Sequence, residues 1–299
     1  MEKFSDWRDK GTGISPFMPI PPANSSVLVK YVLGPIWALL KIVPSVFLFL
    51  LSSLCWPVGF LFRPVLRLLL LVLFNVSEIE FLADGVKKSN TKQIDSRRPD
   101  KGQLVFVNFS SPLDCLVLYL VSKSNNCSFL TADSRGNLRK LNGLLETFSF
   151  ALAQPQLTYQ SAAPVDLFKL KNSVVFVLAE GTTTNNRSVL AFPPIDLATV
   201  YSAYRNTFEY KAISIKVLPP SLVTTPIPRS TVSYLYSHLS HLKWDVNFRL
   251  KSFDLGDLKP ATIREKLSNY GSLKLTGPDL DVAKKLSFIS AYNKTSRRL

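Results

Sequence analysis

The chain has 299 residues, enough for one large domain or two small ones. It carries a net charge of +15 and is 46% hydrophobic, with a mean hydropathy of +0.15 that is high for a purely soluble protein. The three cysteines, Cys55, Cys115 and Cys127, share no repeated spacing, which argues against a disulfide framework and fits a reducing, cytosol-facing environment.

Such a basic balance calls for an anionic partner, nucleic acid or phospholipid. The positive charges are spread and no nucleic-acid motif occurs, so no nucleic-acid partner is expected. The apolar N-terminal third points instead to membrane phospholipid, where each Lys or Arg near an anionic leaflet contributes about 1 kcal/mol.

Residues 1–26 are polar and Pro-rich, read as irregular, and too charged for a signal peptide. An apolar belt follows over 27–76. Within it Ile42 to Phe62 carries no charge across 21 residues, the length of a bilayer-spanning helix. Lys30, Lys41, Arg63 and Arg67 flank its pieces, and Pro44, Pro57, Gly59 and Pro64 interrupt it. A full span, a hairpin that dips in and returns, and a monotopic anchor all fit. Core helices of a globular domain fit the shorter pieces.

Residues 77–299 change texture. "EIEFLADG", "QLVFVN", "CSFLTA", "QLTY", "SVVFVLAEGT", "EYKAISIKVLP" and "WDVNFRLKSF" read as strands. Leu116 to Ser122 and "NLRKLNGLLETFSFALA" read as helices, and a basic amphipathic helix follows Asp279. The alternation predicts an α/β domain with a mostly parallel central sheet flanked by helices, preceded by a membrane-embedded helical segment or hairpin. Ligands in such sheets sit at the carboxyl ends of strands. Two loops have that position, "NFSSPLD" from Asn108 and "EGTTTNNR" from Glu180, about 70 residues apart.

In the second loop Gly181 permits a tight turn, Thr182, Thr183 and Thr184 offer hydroxyl and N–H donors, and Arg187 offers a forked cation. This set suits an oxyanion such as phosphate. A polar turn with a capping Thr has the same composition. In the first loop Asp114 stands at a helix start and would serve equally as a cap. Cys115 reads as a small buried hydrophobe. His238 and His241, three apart and without a third ligand, do not make a metal site, and none is expected. The six Asn-X-Ser/Thr sequons, Asn108 among them, read as chance in a cytosolic domain.

Together the two loops resemble the first and third sequence blocks of the glycerolipid acyltransferases, which move an acyl chain from acyl-CoA to lysophosphatidate. "IKVLPPSL" resembles the fourth block. The opening "WRDKGTGISPF" is similar to the fungal lysophosphatidate:oleoyl-CoA acyltransferase branch, and the likeness covers about Ile79 to Pro226. The resemblance implies a membrane-bound enzyme of phospholipid synthesis at the endoplasmic reticulum and lipid droplet, its catalytic domain facing the cytosol. Acyl-CoA would be co-substrate and lysophosphatidate acceptor, with no cofactor. It implies catalytic roles for Ser110, Asp114 and Glu180, and substrate-binding roles for Asn108, Phe109, Ser111, Gly181, Thr182, Thr183 and Arg187.

The family's first block carries a His as general base, and its Asp, matched by Asp114, orients that His. Phe109 occupies the His position, and a phenyl ring accepts no proton. The second block's Arg has no counterpart in "FALAQPQLTYQS"; Arg135, Arg139 and Lys140 are candidates to replace it. General-base help is worth about 10²–10⁴-fold, and positioning with oxyanion stabilisation is worth more. A thioester is already activated, so loss of the base impairs the reaction without forbidding it. Water, a substrate phosphate oxygen, His238 or His241 are the candidates to take the proton. If the lost base is the limiting defect, Phe109→His should raise the rate. The alternative is a weak or inactive member of the fold that binds lipid or regulates at a membrane.

Overall fold

The computed structural model describes residues 2–22, 26–159 and 165–296. The N-terminal segment, expected to be irregular, holds one 3-10 turn at Glu2–Trp7 and then lies against the C-terminal part of the chain. Phe17 is completely buried, and Asp9 accepts a hydrogen bond from Gly277 N at 2.7 Å.

The apolar belt folds as two helices. α1 (Gly34–Cys55) continues a π-helical turn at Val29–Leu33, and α2 (Gly59–Phe74) packs back against it after a three-residue connection. Among the described residues, Val29–Cys55 is the helix long and apolar enough to cross a membrane, and only 22% of its apolar window is buried. Leu39, Val43, Phe47, Leu50 and Leu54 on α1, and Phe60 on α2, lie exposed.

The other face of α2 is core. Phe62, Leu66, Leu69, Leu70, Leu73 and Phe74 recur at helical spacing and are buried among the sheet's side chains. Arg63 fixes this helix to the domain. Its guanidinium donates to Asn125 Oδ1 (2.8 Å) and to carbonyls at the end of a later helix, Leu120 (3.4 Å) and Ser122 (2.5 Å). A cation there answers both the unpaired carbonyls and the negative end of the helix dipole.

β1 (Val76–Ala83) enters the sheet directly, and α3 (Thr91–Ser96) leads to β2 (Gln103–Val107) and α4 (Asp114–Val121). Next come β3 (Cys127–Ala132), β4 (Leu138–Leu141), α5 (Gly143–Leu152) and β5 (Val174–Leu178). The short β6 (Ser188–Val189) and α6 (Leu197–Tyr204) precede β7 (Glu209–Leu218), α7 (Pro220–Val223) and α8 (Thr231–Leu239). β8 (Val246–Asp254), α9 (Pro260–Ser268), β9 (Lys274–Leu275) and α10 (Val282–Ser296) complete the chain.

Seven strands form one sheet in the order β1-β8-β7-β2-β5-β3-β4, parallel except where β7 meets β8 and β3 meets β4. β2 and β5 are buried along their whole length, as strands covered on both faces must be. Val105, Val107, Phe176 and Leu178 face α2, α4, α5 and α8. Leu104, Phe106, Val175 and Val177 face α6 and α9. The α/β class and mostly parallel sheet expected from the sequence are what the chain adopts.

Two expected elements differ. "NLRKLNGLLETFSFALA" is not one helix: Leu138–Leu141 pairs antiparallel with β3, and Gly143, at φ +81°, breaks the chain before α5 begins. "QLTY" forms no strand; Leu157 O instead accepts from Ser134 N at 3.0 Å and Ser134 Oγ at 2.6 Å in the turn after β3.

The hairpin is also tied to α8. Asn75 ends α2 in the left-handed conformation (φ 61°). Its Oδ1 accepts from the buried Lys41 Nζ at 2.6 Å, and its Nδ2 donates to His238 O at 2.7 Å. Asn75→Ala takes from a buried ammonium the shorter of its two bonds and keeps the strained backbone, so it should destabilise the protein by roughly 2–4 kcal/mol. Denaturant unfolding in detergent micelles, with wild type alongside, measures this.

Candidate functional site

The register of the sheet brings the two loops together. Val107 pairs with Leu178 on one side and Ile213 on the other, so the chain leaving β2 and the chain leaving β5 emerge side by side at the carboxyl edge. Asn108 extends the ladder with its side chain: Oδ1 accepts from Ile215 N (2.7 Å) and Nδ2 donates to Ile215 O (3.0 Å).

The loops are then stitched to each other. Glu180 Oε1 accepts from Phe109 N at 3.0 Å, and Thr184 N returns a bond to Phe109 O at 3.1 Å. The other oxygen of Glu180 accepts from Leu190 N at 3.0 Å. Gly181 sits at φ +67°, and a Cβ there would stand 2.6 Å from Ala132 O, so both conformation and space require glycine.

Asp114 folds the first loop onto the start of α4. Oδ2 accepts from Ser110 N (2.8 Å), Ser111 N (2.9 Å) and Ser110 Oγ (3.2 Å); Oδ1 accepts from Ser111 Oγ (3.0 Å). Both oxygens are thereby engaged within the loop, where the family pattern has the Asp orienting a His. Phe109 does not stand in for that base. Its ring is buried and stacks on Phe150, with centroids 6.1 Å apart and planes 12° apart.

Asn108, Phe109, Ser110, Ser111, Asp114, Glu180, Gly181, Thr182 and Thr183 therefore share one neighbourhood, and the polar ones are buried. Arg187 does not join them: it is exposed, at the entrance to β6, where its carbonyl accepts from Lys274 N at 3.1 Å. Of the three substitutes for the second-block Arg, Arg139 connects to the first loop through a chain of aromatic rings. It pairs with Glu146 (2.7 Å) and covers the ring of Tyr159, which adjoins Phe150 and so Phe109.

Neither histidine reaches the loops, which corrects their candidacy as proton acceptors. His238 is buried on α8 with Nδ1 3.2 Å from Phe74 O, and burial holds its pKa down to about 3. His241 pairs with Asp245 at 2.7 Å. Cys115 is a buried thiol in contact with Pro112 O, and burial pushes its pKa far up, as for a core residue.

Three further residues complete the cluster. Asn186 (φ 57°) donates to Ser110 Oγ (3.2 Å) and Ile215 O (2.9 Å) and accepts from Val217 N (3.0 Å). Arg264 on α9 donates to Leu190 O at 2.9 Å and to Thr276 O at 2.6 Å, bracing the segment that follows the second loop. Lys285 on α10 donates to Thr182 Oγ1 (2.8 Å), Thr183 O (2.6 Å) and Thr183 Oγ1 (3.1 Å). The signal for Lys285 was readable: it shares the inward face of α10 with the apolar Val282, Phe288 and Ile289.

Burial sets the electrostatics. It pushes Glu180 up to about 8, against the pull of its two amide donors and of Arg264 and Lys285. It pushes Lys285 down to about 7, opposed by Glu180. Asp114 rises to about 6 for the same reason, restrained by its four donors. Lys285 from α10 and the hydroxyls and backbone amides of the second loop meet at one turn, a combination that suits an anion. A cavity of about 420 Å³ lies elsewhere, at the opposite end of the sheet beside Arg97, Arg205 and Lys211, and holds none of the loop residues.

No family model and no solved structure matches the chain. Two curated proteins do. "Lysophosphatidic acid:oleoyl-CoA acyltransferase 1" of Saccharomyces cerevisiae is 29% identical, over 100% of this chain and 99% of its own length. "Putative lysophosphatidic acid:oleoyl-CoA acyltransferase" of Schizosaccharomyces pombe is 30% identical, over 98% of this chain and 99% of its own.

Asp114 has a testable pH signature. Its pKa is about 6 in the fold against 3.8 unfolded, so between those values the native state holds a proton that the unfolded chain has released. Stability from this group therefore falls as pH rises from about 4 to 6. Asp114→Asn should remove that fall while lowering stability overall by roughly 1–3 kcal/mol through mismatched donors. Melting curves of both proteins between pH 4 and 7 test it; parallel curves would refute the assignment.

Proposed function

The chain belongs to the lysophosphatidic acid:oleoyl-CoA acyltransferase family, and on that footing we propose that it acylates lysophosphatidate with acyl-CoA, giving phosphatidate and free CoA. The free hydroxyl of the acceptor attacks the thioester carbonyl, the C–S bond breaks, and the hydroxyl proton leaves with the thiolate as CoA-SH. Acyl-CoA is the co-substrate and no cofactor takes part. The observation that carries this reading is the bond from Phe109 N to Glu180, which holds the two motif loops as one unit at the carboxyl edge of the sheet.

In this reading Glu180 and Asp114 shape the loops, Ser110 and Ser111 hold the first loop in place through their bonds to Asp114, and the Gly181–Thr183 turn receives the acceptor's phosphate. Asn108 and Phe109 set the floor, and Arg187, exposed at the rim, meets the incoming anion. With no side-chain base at position 109, rate comes from positioning and from donors aimed at developing charge. The exposed apolar face of α1 and α2 sits in the bilayer, and the +15 charge favours an anionic leaflet. The endoplasmic reticulum membrane and the lipid droplet, with the α/β domain in the cytosol, are the matching locations.

One observation favours a second reading. Both oxygens of Asp114 are engaged within their own loop and the loop side chains are buried, as suits a catalytically weak protein that binds lipid or regulates at a membrane.

Purified protein in micelles, given oleoyl-CoA, should release CoA in a lysophosphatidate-dependent manner. Asp114→Ala and Glu180→Ala should each lower that rate by about 10²-fold through lost loop geometry. Folded wild type that binds lysophosphatidate vesicles without releasing CoA would establish the second reading instead. Phe109→His should gain no rate, contrary to the expectation from the motif alone, because Asp114 is committed to four bonds from Ser110 and Ser111 and the ring at position 109 is buried against Phe150. It should also lose roughly 1–3 kcal/mol of stability by burying a polar ring, seen as a lower melting temperature.

A further inference from the structure

We propose that Lys285 is a positioning residue for this reaction: from the C-terminal helix it fixes the Thr182–Thr183 turn, and through that turn the first loop. This rests on the reading that the turn receives the acceptor.

A lysine buried to 2% exposure is uncommon unless its charge is answered. All three hydrogen bonds of the Lys285 ammonium go to Thr182 and Thr183, more than 100 residues earlier in the chain. The neighbouring positions on its face of α10 are apolar, so a methionine would fill the same space at lower cost to folding. What methionine lacks is the set of donors that decides how the turn lies.

The turn passes this restraint on. Thr183 Oγ1, held by Lys285, donates to Thr225 O at 2.5 Å. Thr225 N donates to Ser110 O at 3.0 Å. Asn186, three residues beyond Thr183, reaches Ser110 Oγ. Lys285 therefore governs both loops without standing beside the reacting atoms, and Glu180 is the carboxyl that faces it.

The helix that delivers Lys285 is clamped by the other end of the chain. Trp7 Nε1 donates to Ser287 Oγ at 2.8 Å, and the rings of Phe4 and Trp7 lie 5.6 and 5.8 Å from that of Phe288. The same segment holds the second loop directly: Asn185 N donates to Pro16 O (2.9 Å), and its Nδ2 donates to Ser15 O (2.8 Å) and Met18 O (2.9 Å). The N-terminal segment and α10 thus grip the loop from two sides.

The test uses the full chain in micelles, with Lys285→Met, Lys285→Arg and the control Lys284→Met, which removes the same charge from the same helix. Backbone hydrogen exchange is read first. In Lys285→Met the amides of Phe109 and Thr184 should exchange at least about tenfold faster, with Lys284→Met matching wild type. In turnover, Lys285→Met should lower kcat/KM for lysophosphatidate by about 10²-fold and leave KM for oleoyl-CoA unchanged. Lys285→Arg, keeping cation and donors, should recover most of the loss. Faster exchange confined to α10, or an equal effect from Lys284→Met, would overturn the proposal. If Lys285→Met does not fold, Thr183→Val removes one receiving hydroxyl together with its bond to Thr225 O, the link to the first loop, and carries the same exchange expectation. Absence of acceptor-dependent turnover in wild type would count against the acyltransferase reading, while the exchange result would still decide whether Lys285 positions the loops.

Discussion

The arrangement depends on one carboxyl group. Glu180 receives an amide from the loop after β2 on one oxygen and the amide of Leu190, just past β6, on the other. Two chain segments that the parallel sheet delivers to the same edge would otherwise be adjacent but independent. A carboxyl bridging two backbone amides away from water makes their relative position a matter of bond geometry. The cost is desolvation, visible in how far burial raises Glu180, and Arg264 and Lys285 are placed where their charge offsets part of it.

The same solution recurs at the hairpin. Lys41 is buried where an apolar belt meets a globular domain, and Asn75 and the carbonyl of His238 answer it. Arg63, which in the sequence looks like a flank of a membrane segment, instead closes the carbonyl end of α4. Of the four flanking cations, at least these two serve the joint between hairpin and domain. α2 accordingly has two neighbours with opposite demands, an exposed apolar face and a core face, and its alternation of buried and exposed leucines records both.

The strands were legible because burial on both faces leaves an unbroken β-branched and apolar run, as in Val174–Leu178. The β4–α5 boundary was not, since "LRKL" supports either period and only the positive φ of Gly143 separates the two elements. Helices α6, α8 and α9 passed unread; at eight or nine residues each they are too short to show a helical period, and α9 has no capping side chain. At the site, Asn108 to Asp114 and Glu180 to Thr183 could be found because each contributes a contiguous motif. Arg187 belonged to the motif but not to the cluster. Asn186, Arg264 and Lys285 act by contacts over long stretches of chain, which no local pattern encodes, although a lysine on an apolar helical stripe is a visible anomaly.

The meeting of the two chain ends at the second loop bears on where the protein can be cut. A fragment begun at β1, the natural choice for removing the apolar hairpin, would also discard Trp7, Asp9 and Phe17. Phe288 would then be open to water, the side-chain amide of Asn185 would lose its two acceptors, and the sheet would lose the inner face of α2. The first residues and the hairpin are therefore as much a part of the globular unit as its central strands, and shortening the chain from its beginning dismantles it at a loop 170 residues away in sequence.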